Sequence, residues 1–299
     1  MKGSKKLTTS KLGISYSKAF TIVELSVVIT ILAVMIIGIT STKLMIRKAR
    51  LANAQSLTQK SVINEINSDL VAWYETSLES SFLFNEIKND GSNISTWKDN
   101  NTYAINKNNA SNLTTASQPK YYQNAFYDSV PAIRFDGNDD FLNFNCNKIA
   151  KSSYTIFVVE QRRSNKSVNY FIGGSNVGVN ETIHLGYRSN TSITQAHYSN
   201  DFDTPVAGYN SVEPKLFTFV YNFNIGKQIS INGKAPVVAN PIQSSPLLSC
   251  NNVALGKYAS SYFYNGDLAE IIMFKRSLKT EEIEAIENYL GSKYGISVS

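Results

Sequence analysis

From Phe20 to Ile39 the chain reads FTIVELSVVITILAVMIIGI, an apolar run whose single ionisable side chain is Glu24. At about 1.5 Å per residue such a helix reaches roughly 30 Å, the thickness of a bilayer's hydrocarbon core. The run therefore predicts a membrane-spanning helix. A carboxylate at that depth costs about 2.5–3.5 kcal/mol on insertion scales, so Glu24 is expected to have a partner; snorkelling at the membrane edge is the plain alternative. Lys2, Lys5, Lys6, Lys11 and Lys18 precede the run without any acid, and Lys43, Arg47, Lys48 and Arg50 follow it. Charge on the two sides is nearly balanced and leaves the orientation open. A cleaved secretory signal fits less well, because its apolar region is about 7–15 residues long and ends at a small-residue site.

The boundary Lys18-Ala19-Phe20-Thr21-Ile22-Val23-Glu24-Leu25 resembles the processing signature of type IV prepilins and related pseudopilins. The resemblance implies that a prepilin peptidase cuts between Ala19 and Phe20, that Phe20 becomes an N-methylated amino terminus, and that the apolar helix stays on the mature protein. Glu24 matches the family's glutamate. Where the family usually has glycine this chain has Ala19, a departure that would slow processing. A freed Phe20 amine lies one helical turn from Glu24, which could pair with its own or a neighbouring subunit's amine and set the register of assembly.

From Ser41 to Asp90 there is neither Gly nor Pro, and Leu44, Leu51, Leu57, Ile63, Ile66, Leu70 and Trp73 recur at mostly helical spacings. The pattern predicts that the helix continues as a stalk over residues 41–75. The net charge of +6 belongs largely to residues 1–19, a leader, and to the stalk's basic residues. Nucleic acid is thus not expected as a partner.

The head is expected over residues 76–299; after Asn85 the composition shifts to Asn, Ser, Thr, Tyr and Gly, with short β-favouring runs at Ala132–Phe135, Tyr154–Gln161, Tyr170–Ile172, Ile183–Tyr187, Ile193–His197, Leu216–Asn222, Gln228–Ile231, Val253–Leu255 and Leu268–Phe274. Asn232-Gly233 signals a hairpin turn. One amphipathic helix follows at Thr280–Ser292, with Glu281 and Glu282 in its first turn. The expected class is α+β: a long N-terminal helix over residues 20–40 and its stalk, then an antiparallel β-sandwich of jelly-roll type closed by a short helix. Three segments carry a further resemblance: Ser95-Thr96-Trp97-Lys98-Asp99, the stretch PAIRFDGNDDFL from Pro131, and GDLAEIIMF from Gly266 with the terminal helix. They resemble the concanavalin A-like, laminin-G-type jelly roll of bacterial surface proteins, which implies a lectin-like scaffold and leaves the ligand open.

Within the head, Asp136, Asp139 and Asp140 are candidate Ca²⁺ ligands, with Asp201 and Asp203 as additions from a polar loop; the alternative is ordinary Asp-Gly-Asn-Asp turn chemistry. Trp97, Tyr121, Tyr122, Tyr258, Tyr262 and Tyr264 are candidate sugar-stacking rings, although 17 Tyr and 15 Phe mean that most aromatics must simply pack. Cys146 and Cys250 are the two cysteines and could form a disulfide. His184 and His197 are the two histidines, no hydrolase or phosphate-loop motif is present, and Glu160 stands alone on its strand while Glu270 follows Asp267 at a strand edge. The chain is accordingly expected not to be an enzyme. It reads as a minor-pilin-like subunit that sits in a bacterial inner membrane before assembly with its head periplasmic or extracellular, joins other pilin subunits in a cell-surface filament, and binds glycans or surface proteins. A pseudopilin of a secretion or DNA-uptake machine is the first alternative, and a carbohydrate-active enzyme on a pilin anchor the second.

Overall fold

A computed structural model describes residues 21–176, 178–206 and 213–299. Residues 1–20, including the leader and both Ala19 and Phe20, lie outside the described residues. Two compact units divide the chain, residues 1–45 and 46–299.

Helix α1 runs Ile22–Gln59. Thr21 and Glu24 begin it as a capping box: the Thr21 amide donates to Glu24 Oε2 at 2.8 Å and the Glu24 amide to Thr21 Oγ1 at 3.2 Å. Its first part exposes Ile22, Val23, Leu25 and the apolar residues beyond, and it is long and apolar enough to cross a membrane. The helical reading over 41–75 is corrected beyond Gln59. A 3₁₀ turn at Val62–Asn64 follows, Asp69 adopts a left-handed φ of 68°, and Leu70–Glu75 is a strand. Asn64, Asn67, Ser68 and Asp69 are turn formers, and Val71-Ala72-Trp73-Tyr74 finds an antiparallel partner in Ile271–Met273. Pairing across the chain overrides helical spacing.

The head is an antiparallel sandwich of two sheets followed by helix α2, Thr280–Tyr294. At the middle of the first sheet, strands Lys215–Asn222, Tyr154–Arg162, Asn265–Phe274 and Val130–Asp136 lie side by side. Alternation decides which core each residue enters. Ile156, Val158, Ile271 and Met273 face the second sheet, while Phe157, Val159, Ile272 and Phe274 face α2. Both faces of these strands are buried, which is why they read as continuous apolar runs. A bulge between Leu268 and Glu270 re-aims the strand, so that Ala269 and Glu270 both serve the helix side. On α2, Ile286, Tyr289, Leu290 and Tyr294 pack with Trp73, Ala54 and Ile63. The Asn232-Gly233 turn is present, with φ values of 54° and 71°, and leads to the edge strand Val237–Val238.

In the second sheet, strands Asn200–Pro205, Ser192–His197, Ile183–Ser189 and Asn169–Gly174 are neighbours, followed by Val253–Leu255. Its inner face contributes Phe171, Ile183, Leu185, Tyr187 and Ile193 to the sandwich core. No helix among the described residues covers its outer face.

Candidate functional site

That outer face is built by strand periodicity. With Ile183, Leu185 and Tyr187 turned inward, His184, Gly186 and Arg188 must turn outward. Register then lines up two rows. His184 lies opposite Ala196, and Ala196 opposite Asp201; Gly186 lies opposite Thr194, and Thr194 opposite Asp203. Because Ala196 is small, His184 and Asp201 reach over it, Nε2 to Oδ1 at 3.6 Å. Arg188 closes the group with an ion pair to Asp201 and a second contact to Asp203 Oδ2 at 3.5 Å.

A two-stranded ribbon, Lys257–Tyr258 with Tyr262–Phe263, is pressed against this face. Gly173 permits the approach, since a Cβ there would fall 2.7 Å from Tyr258 Cβ. The Tyr258 ring lies 4.4 Å from His184 and 4.9 Å from Tyr170, and stacks on Tyr262 at 6.0 Å with planes 17° apart. Tyr262 is 40% exposed. Alongside, a cleft of about 420 Å³ is lined by residues including Gly173, Asn252, Lys257 and Ala259.

Polar atoms here lack hydrogen-bond partners. Tyr170 Oη, both His184 ring nitrogens, Thr194 Oγ1 and Asp201 Oδ1 are each buried without one. Leaving such a group unpaired costs about 1–3 kcal/mol, so their concentration on one face marks a place where a ligand's hydroxyls or water would be held. Burial pushes the His184 imidazole below its ordinary value, which keeps it neutral at pH 7 with one donor and one acceptor nitrogen. Burial would raise the Asp201 carboxyl, but His184 and Arg188 outweigh it and hold it down at about 2. A wider cleft of about 730 Å³, beside Ala125, Glu213, Asn232 and Ile296, gathers none of these unpartnered groups among the described residues.

Three proposed stacking rings are corrected to the core. Trp97 is fully buried and donates from Nε1 to the Glu75 carbonyl at 2.8 Å; Tyr264 is fully buried against Glu160; Tyr121 packs edge-on to Phe82. Their apolar bodies and single polar tips suit the sandwich interior. Tyr122 is half-buried beneath the Arg134 guanidinium, 3.9 Å above its ring. Tyr258 and Tyr262 alone of the six share the outer face. Asp201 and Asp203 are corrected from loop to strand and are engaged by Arg188 rather than joining Asp136, Asp139 and Asp140. The signal for this face was the i, i+2 spacing of His184, Gly186 and Arg188 and of Asp201 and Asp203, which strand pairing turns into neighbours.

Oxygens of Asp136, Asp139 and Asp140 gather within 4.8 Å, close enough to hold an ion. They also serve the turn itself. Asp136 accepts from the Asn138 amide at 2.8 Å and from Asn138 Nδ2 at 2.9 Å, Asp140 accepts from the Asp136 amide at 2.9 Å, and Asp139 accepts from Ser117 Oγ at 3.0 Å. Burial, with the charges of Asp136 and Asp139, raises the Asp140 carboxyl to about 7. Cys146 and Cys250 are joined in a disulfide. Glu160 and Glu270 are both buried: Glu160 accepts from Tyr187 and Tyr264 between the sheets, and Glu270 faces α2. His197 also points inward, its Nε2 2.9 Å from Tyr154 Oη and its Nδ1 2.9 Å from the Ser245 carbonyl.

No protein-family model matches the chain, and no curated protein matches it. Among solved structures, the head resembles Trypanosoma rangeli sialidase in complex with sialic acid, with a TM-score of 0.51 and 12% identity over 75% of this chain and 33% of that one. It also resembles Domain 4 of AbnA, a GH43 extracellular arabinanase from Geobacillus stearothermophilus, in complex with arabinotriose, with a TM-score of 0.51 and 13% identity over 73% of this chain and 98% of that domain. The chain spans about a third of the sialidase. At these identities the likeness is one of fold: a β-sandwich that occurs in carbohydrate-binding and glycoside-hydrolase chains. The expectation that the chain is not an enzyme is thereby corrected. Its sandwich occurs in a sialidase and in an arabinanase, so missing sequence signatures do not exclude catalysis.

Proposed function

We propose that this chain is a pilin-like subunit, inserted in a bacterial inner membrane through the apolar helix and assembled into a filament with other subunits, whose head recognises glycans on the outer face of the second sheet. The observation that carries the recognition is the set of buried, unpartnered polar atoms on Tyr170, His184, Thr194 and Asp201 beside the Tyr258–Tyr262 stack. Stacked aromatic faces with convergent donors and acceptors suit a sugar ring, which is apolar on one side and ringed by hydroxyls. The arabinotriose bound by the arabinanase domain and the sialic acid bound by the sialidase chain support a glycan as the class of ligand.

Assembly rests on the Lys18–Leu25 signature, processed by a prepilin peptidase between Ala19 and Phe20. Glu24 would exchange its Thr21 cap for the amine of a neighbouring subunit. Asp136, Asp139 and Asp140 would supply the carboxylates if calcium binds beside them, and a thermal stability sensitive to chelator is the test.

Two experiments test the whole. Amino-terminal sequencing of membrane-extracted protein is expected to begin at methylated Phe20; an intact Met1 would remove the pilin pathway. The detergent-solubilised chain is expected to bind members of a glycan array, with the same glycans assayed for cleavage. Absence of binding to any of them would remove the recognition role.

A further inference from the structure

Resting on the reading of the apolar run as a membrane anchor, we propose that the base of the head holds the headgroup of an anionic phospholipid in a groove between the Ile46–Asn53 part of α1 and the turn at Tyr127. The groove has a volume of about 500 Å³. Ile46 and Ala49 line it from α1, and Tyr127, Val130 and Tyr294 from the head. Ile46 is 47% exposed and Tyr127 53%, so two large apolar bodies are left open to solvent. Six residues join Ile46 to the end of the apolar run at Ile39, a reach of at most about 25 Å. A bilayer crossed by that run is therefore never far from the groove.

Charge selects the occupant. Arg50 lines the groove, and its Nη1 donates to the Tyr127 carbonyl at 3.1 Å, a bond that holds the guanidinium without neutralising it. Arg47, one helical turn earlier, makes a loose contact of 3.9 Å with Asp128, whose side chain is 83% exposed. Lys293, the other cation of the lining, is turned inward to Glu75 and Glu270. Among the described residues no acid lines the groove, and residues 41–60 hold five basic side chains without an acid. A phosphate there gains charge-assisted hydrogen bonds from the arginines, and a net negative headgroup suits the surplus of cations. The glycerol and first acyl carbons then cover Ile46 and Ala49, which a free phosphate would leave wet. Tyrosine and arginine side by side also suit a membrane surface, where the ring meets carbon and the polar tips meet headgroups. Tyr127 is held in place by its backbone: Tyr127 and Asp128 take left-handed φ values of 45° and 54°, and a Cβ on Gly295 would fall 3.2 Å from the Tyr127 ring.

The test reconstitutes the full chain in vesicles of equal parts phosphatidylglycerol and phosphatidylcholine, extracts it in mild detergent and weighs the retained lipid by native mass spectrometry. Wild-type protein is expected to retain phosphatidylglycerol over phosphatidylcholine about tenfold, and Arg50→Gln to bring the ratio within about twofold of one. Lys48→Gln removes a charge from the other side of the same helix turn and is expected to leave the ratio unchanged. Ala49→Trp fills the groove at an exposed position, keeps every cation and is expected to lose the retained lipid. Equal or no retention of the two lipids by wild type, an equal fall in Lys48→Gln and Arg50→Gln, or full retention in Ala49→Trp overturns the proposal. A mass of two chains without lipid, reduced to one chain in Ala49→Trp, assigns the groove to a second copy and overturns it as well. Flotation with vesicles of phosphatidylcholine alone reads the anchor separately. A chain that does not float overturns the anchor and the proposal together; one that floats without lipid preference overturns the proposal alone. If Arg50→Gln fails to fold, Ala49→Trp decides.

Discussion

The Lys293 ammonium donates to the Glu270 carboxylate at 2.7 Å, and neither side chain has any exposure to solvent. Glu75 completes the group at 3.0 Å from Lys293, so three charges from two paired strands and α2 meet inside the apolar layer. Trp73 Nε1, Tyr289 Oη and Tyr294 Oη donate to Glu270, and Ser77, Ser81 and the Leu78 amide donate to Glu75. Burial alone would push the Glu75 carboxyl up; Lys293 and these hydroxyls bring it below its ordinary value instead. Thr58 on α1 reaches Ser77 Oγ at 3.1 Å and Tyr289 Oη at 3.4 Å, which fastens the end of α1 to the same network.

Breaking this group from one side leaves two glutamates buried without a cation. Lys293→Met is therefore expected to cost about 3–5 kcal/mol, far more than a surface lysine would. Urea unfolding followed by the fluorescence of Trp73 and Trp97 measures it, with Lys275→Met, on a half-exposed pair with Asp69, as the small-effect control.

Burial, aided by the charge of Lys227, depresses the His197 imidazole from 6.5 to about 3. A group depressed in the folded state favours folding above its unfolded value and loses that contribution as pH falls toward its folded value. The His197 contribution is thus expected to decline from pH 6.5 downward, before Asp201, held at about 2 against 3.8 when unfolded, begins to contribute, while Asp140, raised to about 7, takes up its proton over the same range and opposes it. Unfolding midpoints between pH 7 and pH 4.5 check this: the stability of the wild type relative to His197→Gln is expected to fall as pH falls.

Joining residues 104 apart in sequence, the Cys146–Cys250 disulfide restricts the unfolded chain. Reduction is expected to lower stability by up to about 4.7 kcal/mol in the chain-entropy model. Parallel unfolding curves with and without reductant give the difference, and alkylation followed by mass measurement confirms the redox state.

Glu24 caps α1 through Thr21, a role that glutamine also fills, whereas pairing with an amine needs the charge. Glu24→Gln is expected to leave the helix and its cleavage intact yet enter filaments as poorly as Glu24→Ala. Sheared-filament fractions probed for the tagged chain provide the comparison; normal incorporation of the glutamine variant would assign Glu24 to capping alone.

Much of the sandwich was legible because its central strands are buried on both sides and carry unbroken β-branched and aromatic runs, as in Tyr154–Arg162. Helix α2 showed itself through its Ile286–Leu290 stripe and acidic first turn. Residues 60–75 misled, since Ile63, Ile66, Leu70 and Trp73 fit a helical spacing while Trp73 answers to a strand partner, Ile272, about 200 positions away. The outer face stayed hidden for the same reason. Tyr170, His184, Asp201 and Tyr258 become neighbours only through strand register, and composition could not separate them from buried aromatics such as Trp97 and Tyr264.

Tyr262 offers the most direct test of glycan recognition, because it is exposed and its ring stacks on Tyr258 outside the sandwich core. The best-binding glycan of the array, titrated into wild-type protein and Tyr262→Ala, is expected to bind the variant about tenfold more weakly, with the melting temperature unchanged, in keeping with the roughly 0.5–1.5 kcal/mol that an aromatic contact adds. Equal affinity in the two proteins would contradict a glycan site on this face.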